Sequence, residues 1–169
     1  MANMQKISAN LWFDRQAEEA VNYYMSIFRN SRIVRITHYG KEGHEIHKMP
    51  AGSVMTIEFE LEGQPFVALN GGPVFKFNEA VSFIVNCETQ AEIDYYWDKL
   101  SRDADVNAQQ CGWLKDKFGL SWQIVPSTLS EMFSSESKRS GEVMKVMLKM
   151  KKLDIKKLED AYNKEAVLS

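Results

Sequence analysis

The feature that most constrains the fold is an order of elements that occurs twice. From Ile7 onward, Ile7, Ala9, Leu11 and Phe13 alternate with Ser8, Asn10 and Trp12, the period of two expected of a strand with two different faces. Asp14 is placed to cap a helix in which Ala17, Ala20, Val21, Tyr24 and Phe28 recur at three- and four-residue spacing, with Glu18 and Glu19 in the first turn, where the helix dipole favours carboxylates. Residues 32–39, 53–61 and 65–70 are rich in β-branched and aromatic side chains and are punctuated by Gly40, Gly43, Gly52 and Gly63, so they read as strands. The order β-α-β-β-β then restarts. Val81, Phe83 and Val85 alternate with Ser82 and Ile84, and Glu88-Thr89 opens a helix carrying Ile93, Tyr96, Trp97 and Leu100. Residues 106–110, 112–117 and 120–125 complete the second unit, with Gly119 in its last turn.

The two halves share letters as well as order. Gln16-Ala17-Glu18 is matched by Gln90-Ala91-Glu92, Tyr23-Tyr24 by Tyr95-Tyr96, and Gly63-Gln64-Pro65-Phe66 by Gly119-Leu120-Ser121-Trp122, which points to an internal duplication. Beyond Pro126 the apolar spacing becomes helical over residues 128–133, 141–152 and 155–162. The expected organisation is residues 1–126 as paired modules, 7–72 and 79–126, followed by a helical extension over 127–169.

Composition removes several classes of function. Lysine and arginine number 21 against 23 acidic residues, a net charge of −2, so the broad cationic surface needed for a phosphate backbone is missing and nucleic acid is not an expected partner. The run Lys149, Lys151, Lys152, Lys156 and Lys157 is interrupted by Met150, Leu153 and Ile155 and reads as the wet side of an amphipathic helix. No apolar run suits a signal peptide or a membrane span, giving the expectation of a soluble, cytoplasmic chain with no membrane partner. Cys87 and Cys111 form no disulfide framework and read as buried, inert thiols.

Four segments, 11–14 (Leu-Trp-Phe-Asp), 68–73 (Ala-Leu-Asn-Gly-Gly-Pro), 75–79 (Phe-Lys-Phe-Asn-Glu) and 111–119 (Cys-Gly-Trp-Leu-Lys-Asp-Lys-Phe-Gly), together resemble the PhnB-like family, many of whose members carry the label 3-demethylubiquinone-9 3-methyltransferase domain protein. The resemblance runs from about residue 7 to about residue 150 and implies the glyoxalase/bleomycin-resistance, or vicinal-oxygen-chelate, fold: an α+β protein of two βαβββ modules with appended C-terminal helices, in which two modules line a small-molecule pocket and oligomers are common. It also implies a test. Metal-using members of that superfamily commonly draw a His from the first strand and a Glu from the last strand of each module. Matched to this sequence, those positions fall near Ser8 and Val67, and near Ala80 and Gln123, none of which is a strong ligand. His38, His44 and His47 lie elsewhere, near the long loop, where Glu42 and Glu45 accompany them; a loop site of His44, Glu45 and His47 competes with plain surface histidines. Neither a catalytic metal nor another cofactor is expected, and no catalytic residue is assigned.

Strand parity turns Ser8, Asn10 and Trp12 away from the buried Leu11 and Phe13, and does the same for Ser82 and Gln123. With Asn70, Phe75, Phe77 and Trp113 these residues predict a ligand pocket of aromatic walls with amide and hydroxyl groups, suited to a planar or amphipathic small molecule. The expected protein is therefore a homodimeric small-molecule binder. Two alternatives stay open: an enzyme of the superfamily (a lyase, an isomerase, or a transferase such as the label's methyltransferase), and an interaction module acting through its C-terminal helices.

Overall fold

The computed structural model describes residues 6–134 and 138–164, which form two compact units divided after Phe77. The first unit contains β1 (Ala9–Phe13), α1 (Ala17–Ile27), β2 (Ser31–His38), a single-turn α2 (His44–His47), β3 (Val54–Leu61) and β4 (Gln64–Asn70). Its sheet has the order β1-β4-β3-β2, with β1 parallel to β4 and the other neighbours antiparallel. Alternation decides which side is buried. Leu11, Phe13, Ile57, Phe59, Leu61, Phe66 and Ala68 form the core with Ala17, Ala20, Val21, Tyr24 and Ile27 of α1.

The start of α1 differs from expectation. Gln16, not Asp14, is the N-cap residue, and its own side chain makes no capping bond. The chain needs two further residues to turn from β1 into α1, which leaves the Asp14 carboxylate too early to reach the first free amides. Asn70, at the far end of β4, caps the helix from outside: its Oδ1 accepts the Ala17 N–H at 2.9 Å.

The second unit contains β5 (Ser82–Cys87), α3 (Gln90–Leu100), β6 (Trp113–Lys115) and β7 (Ser121–Pro126) in a sheet of order β5-β7-β6, again with the first and last strands of the unit parallel. Thr89 caps α3 through a reciprocal box with Glu92, as the Glu88-Thr89 signal implied. The strand expected over 106–110 is replaced by a 3-10 turn, Val106–Ala108, because the Asp105 carboxylate accepts the Asn107 N–H at 2.9 Å and closes the chain locally. Only an isolated bridge between Gln110 and Trp113 remains there, so the second module is one strand shorter than the first.

The paired tyrosines of the two helices prove to be unequal. Tyr24 is fully buried, whereas Tyr95 and Tyr96 are half-buried and Trp97 takes the core position. The buried spacing Ala20, Tyr24, Ile27 corresponds to Ile93, Trp97, Leu100.

The C-terminal helices α4 (Leu129–Ser134), α5 (Lys138–Met147) and α6 (Ile155–Asn163) belong to the second unit. Met132, Val143, Leu153, Leu158 and Ala161 make a core of their own. The Cys111 and Gly112 amides donate to the Met150 and Lys151 carbonyls, both at 2.8 Å, so the link between α5 and α6 is hydrogen-bonded where the missing strand leaves free backbone. Gln90 adds a two-way clasp: Nε2 donates to the Leu153 carbonyl at 3.0 Å and Oε1 accepts the Ile155 N–H at 2.9 Å. Lys152 reaches Asp94 at 2.8 Å and Asp98 at 3.5 Å.

This clasp has a pH dependence. The hydrogen bond from Lys152, helped by Gln90, holds the Asp94 carboxyl below its ordinary 3.8. A depressed carboxyl stabilises the fold above its unfolded pKa and loses that contribution as pH falls through the lower folded value. The pair is partly exposed, so the effect is local. Relative to its intrinsic exchange rate, the protection of the Ile155 amide is expected to fall on acidification from pH 6 to pH 3, more than that of the Ile93 amide; an equal fall in both would remove the clasp.

Burial pushes the Cys87 thiol up to about 12, which keeps it protonated and unreactive at neutral pH. Cys111 is half-buried rather than buried, and neither cysteine is bridged. Among the described residues, no helix is long and apolar enough to cross a membrane.

Candidate ligand-binding faces of the two sheets

In the first unit the face away from α1 is organised around Trp12. Its indole N–H donates to the Gly72 carbonyl at 2.8 Å, and its ring lies so close over Gly71 that a Cβ at that position would overlap it. Phe75 meets the ring edge-on at 4.9 Å between centroids and is 62% exposed. The Trp12 ring is therefore held by its neighbours, its polar atom is already used, and it remains half-buried. Gly71 permits this approach, while Gly72 takes a positive φ of +88°.

Cross-strand register places the neighbours of Trp12. Asn10 lies opposite Val67 on β4, and Val67 opposite Glu58 on β3; Trp12 lies opposite Leu69, and Leu69 opposite Thr56. Thr56 and Thr37 share a 2.6 Å hydroxyl contact, and Arg35 binds Glu58 at 2.6 Å. Arg32 grips Glu60 through two 2.8 Å bonds, which raises the guanidinium pKa and lowers that of the carboxylate. These ion pairs were missed in the sequence, where the pocket was read as neutral. The alternation Thr56, Glu58, Glu60 opposite Ile57, Phe59, Leu61 was the available signal.

Two expected pocket residues belong to the other side. Asn70 is 3% exposed and shares the helix-side parity of Phe66 and Ala68. Beyond capping α1, its Nδ2 donates to Glu18 Oε2 and to the Val54 carbonyl, both at 3.1 Å, and its carbonyl accepts the Tyr39 hydroxyl at 2.6 Å. Phe77 packs against the buried Phe13, with ring centroids 5.2 Å apart. Both residues pack on the helix side of the sheet, away from the face that carries Trp12. Ser8 is exposed just before β1, and Asn10 is exposed within it.

In the second unit the face away from α3 is a grid of two rows. Ser82, Ser121 and Lys115 lie side by side across β5, β7 and β6, and Ile84, Gln123 and Trp113 form the adjoining row. Gln123 Nε2 donates to Ser82 Oγ at 2.9 Å, which fixes the shared face directly. Lys115 is paired with Glu79, whose carboxyl is held below its usual range chiefly by that hydrogen bond.

The register sharpens one of the four metal-ligand positions. Gln123 corresponds to Val67 through the matched turns, and its diagonal partner is Ser82, just as Ser8 is the diagonal partner of Val67. The relevant residue is Ser82 rather than Ala80, which lies in the turn before β5. The set Ser8, Val67, Ser82 and Gln123 offers hydroxyls, one amide and an alkyl group, and does not fit a divalent metal of the superfamily's kind. Nor do the loop histidines assemble one. His47 Nδ1 accepts the Met49 N–H at 2.9 Å, which places the ring proton on Nε2, directed at the Glu42 carbonyl 3.1 Å away. Its ring lies 4.5 Å from that of Tyr39 and 6.0 Å from that of His44. Among the described residues, no three His, Cys, Asp or Glu side chains converge on a common point.

Paired sheet modules, each with a first strand parallel to its last and a helix on one face, define the class: the α+β fold of the glyoxalase, or vicinal-oxygen-chelate, superfamily. Residues 5–125 match the family model for 3-demethylubiquinone-9 3-methyltransferase, and the chain belongs to that PhnB-like family. It is similar to the PhnB protein of Bacillus cereus, titled there as a proposed 3-demethylubiquinone-9 3-methyltransferase, with 37% identity over 72% of this chain and 99% of that one, and a TM-score of 0.62. At the level of fold it is similar to the fosfomycin resistance protein FosX of Mesorhizobium loti, with 14% identity over 78% of this chain and 100% of that one, TM-score 0.51. The protein PA1353 of Pseudomonas aeruginosa is similar at 17% identity over 73% and 98% of the two chains, TM-score 0.55. No curated protein matches the sequence.

Proposed function

We propose that this chain is a small-molecule binding member of the PhnB-like family that acts without a resident catalytic metal, taking a planar or amphipathic ligand against the sheet faces. The observation that carries this reading is the locked Trp12: its N–H is satisfied by Gly72, its ring lies against Gly71, and Phe75 packs on it nearly perpendicular. A fixed aromatic platform costs little conformational entropy to bind against. On this reading the contact residues are Ser8, Asn10, Trp12 and Phe75 on the face of the first unit and, separately, Ser82, Trp113 and Gln123 on that of the second, while Asn70 and Phe77 support the first sheet. The protein works in the cytoplasm as a homodimer, and the apolar edge Ile33, Val34 and Ile36, between 40% and 50% exposed, is in keeping with a second copy.

The enzymatic reading has one observation in its favour. Glu58 with Arg35, and Glu79 with Lys115, bring titratable groups onto the two faces. The methyl-transfer label has less support, since the described sheets are mixed and carry no doubly wound nucleotide platform.

A thermal-shift screen of planar small molecules tests the binding reading. Hits are expected to raise the melting temperature by mass action, and Trp12→Leu is expected to weaken them about tenfold or more, in line with the roughly 1–3 kcal/mol typical of an aromatic stacking contact with a planar ring. Hits that bind Trp12→Leu as tightly as the parent protein would remove the platform from the account.

A further inference from the structure

Ser121 is 1% exposed, yet among the described residues its hydroxyl has no hydrogen-bond partner. A buried hydroxyl left unpaired is costly, and a strand position facing a neighbouring Ser82 and Lys115 could be filled by an apolar residue at no loss of packing. Its immediate surroundings are donors. Gln123 Nε2 already donates to Ser82 Oγ, so the Ser82 hydroxyl proton is available to another acceptor. Lys115 Nζ supplies a positive charge on the same face, and its carboxylate partner, Glu79, is 65% exposed and comes from the turn before β5. Such a counter-ion is held weakly and is easily exchanged for another anion. Alongside this polar row stand Ile84, 56% exposed, and the half-buried Trp113, which supply apolar contact.

We infer that the row Ser82–Ser121–Lys115 is an oxyanion subsite: it receives the carboxylate or phosphate group of a small ligand whose apolar body lies on Ile84 and Trp113, with Glu79 occupying the lysine in the ligand's absence. This assignment deepens the small-molecule reading and rests on it. The two hydroxyls donate to the anion, Lys115 neutralises it, and Glu79 swings into solvent. Ser121 thus gains the partner it lacks, and Glu79 acts as a built-in competitor that sets the affinity.

Benzoate and phenyl phosphate serve as oxyanion probes, with benzyl alcohol as the neutral control of the same body, all titrated by calorimetry on the full chain. The parent protein is expected to bind both anions more tightly than benzyl alcohol. Lys115→Met and Ser121→Ala are each expected to weaken the anions about tenfold, the scale of one charge-assisted hydrogen bond, and to leave benzyl alcohol unchanged. Ser121→Ala should at the same time raise the melting temperature, because it removes an unpaired buried hydroxyl. Glu79→Gln is the decisive variant: by freeing Lys115 it is expected to tighten anion binding several-fold, a gain that a folding defect cannot imitate. Anions bound no better than benzyl alcohol, or affinities unmoved in Lys115→Met and Glu79→Gln, overturn the subsite. If the anions fail while planar neutral ligands still bind in a Trp12-dependent manner, only this inference falls; if the Trp12 screen fails as well, the binding reading falls with it.

Discussion

Replacing Asn70 by alanine is expected to destabilise the first unit by about 2–4 kcal/mol, because one side chain there closes three separate hydrogen bonds. The loss begins at α1. Its first amide, that of Ala17, is buried against the sheet and has no capping side chain of its own, so it would be left without an acceptor. The Val54 carbonyl and the Glu18 carboxylate lose their shared donor in the same step. The replacement leaves the backbone bond from Tyr39 to the residue 70 carbonyl in place, so the strand end itself persists. Urea unfolding followed by far-ultraviolet circular dichroism measures the change. A loss below about 0.5 kcal/mol, the scale of ordinary surface substitutions, would mean that Asn70 faces solvent or ligand.

Leu153→Ala is expected to cost about 2–5 kcal/mol, the range for emptying a fully buried leucine site. Leu153 belongs to the C-terminal core and also packs on Gly112, whose φ of +85° and tight surroundings disfavour a side chain. Its carbonyl is held by Gln90 and its neighbour Lys152 by Asp94, so the segment is tied to α3 by packing, amide and charge at once. The consequence is that the C-terminal helices cannot be cut away as a removable attachment. A chain ending before α5 is expected to lose the cooperative unfolding of the second unit and not merely a surface. Melting of Leu153→Ala within a degree or two of the parent, with the β5-β7-β6 sheet intact in a truncated chain, would restore the picture of an independent extension.

How much of this was legible depends on the kind of signal each residue carries. Period-two alternation with glycine punctuation located every strand of the first unit within one or two residues, because side-chain burial on one face of a sheet leaves that mark directly in the sequence. The Glu88-Thr89 helix start was equally plain, since its cap is local. The capping role of Asn70 was not legible because its partners are distant: a strand-end Asn that caps a helix 53 positions earlier in the chain carries no local mark of it. The 106–110 segment was misread because a β-branched Val106 suggested a strand, while Asp105 closes a turn and the amides just beyond it, Cys111 and Gly112, go to the Met150 and Lys151 carbonyls. The letters Tyr-Tyr matched in both helices although their burial does not, which shows that a repeated dipeptide and a repeated core position are different things.

The candidate faces were legible in part for the same reason. Trp12, Asn10, Ser82 and Gln123 follow from parity within a single strand, and Gln123–Ser82 is a direct bond. The ion pairs Arg35–Glu58 and Lys115–Glu79 were not, because they require knowing which strands are neighbours and in what register. The equivalence of Ser82 with Ser8 likewise became visible only when β5 was aligned with β7, residue against residue.

The account stands on the Trp12 platform as a binding surface that needs no metal, and one comparison addresses it most directly. Ligands found by thermal shift are retested against the parent protein and Trp12→Leu in the presence of excess EDTA. The expected result is that the stabilisation of the parent persists in the chelator and is lost in Trp12→Leu. Stabilisation that vanishes with EDTA and returns with a divalent ion, while surviving the loss of Trp12, would contradict it.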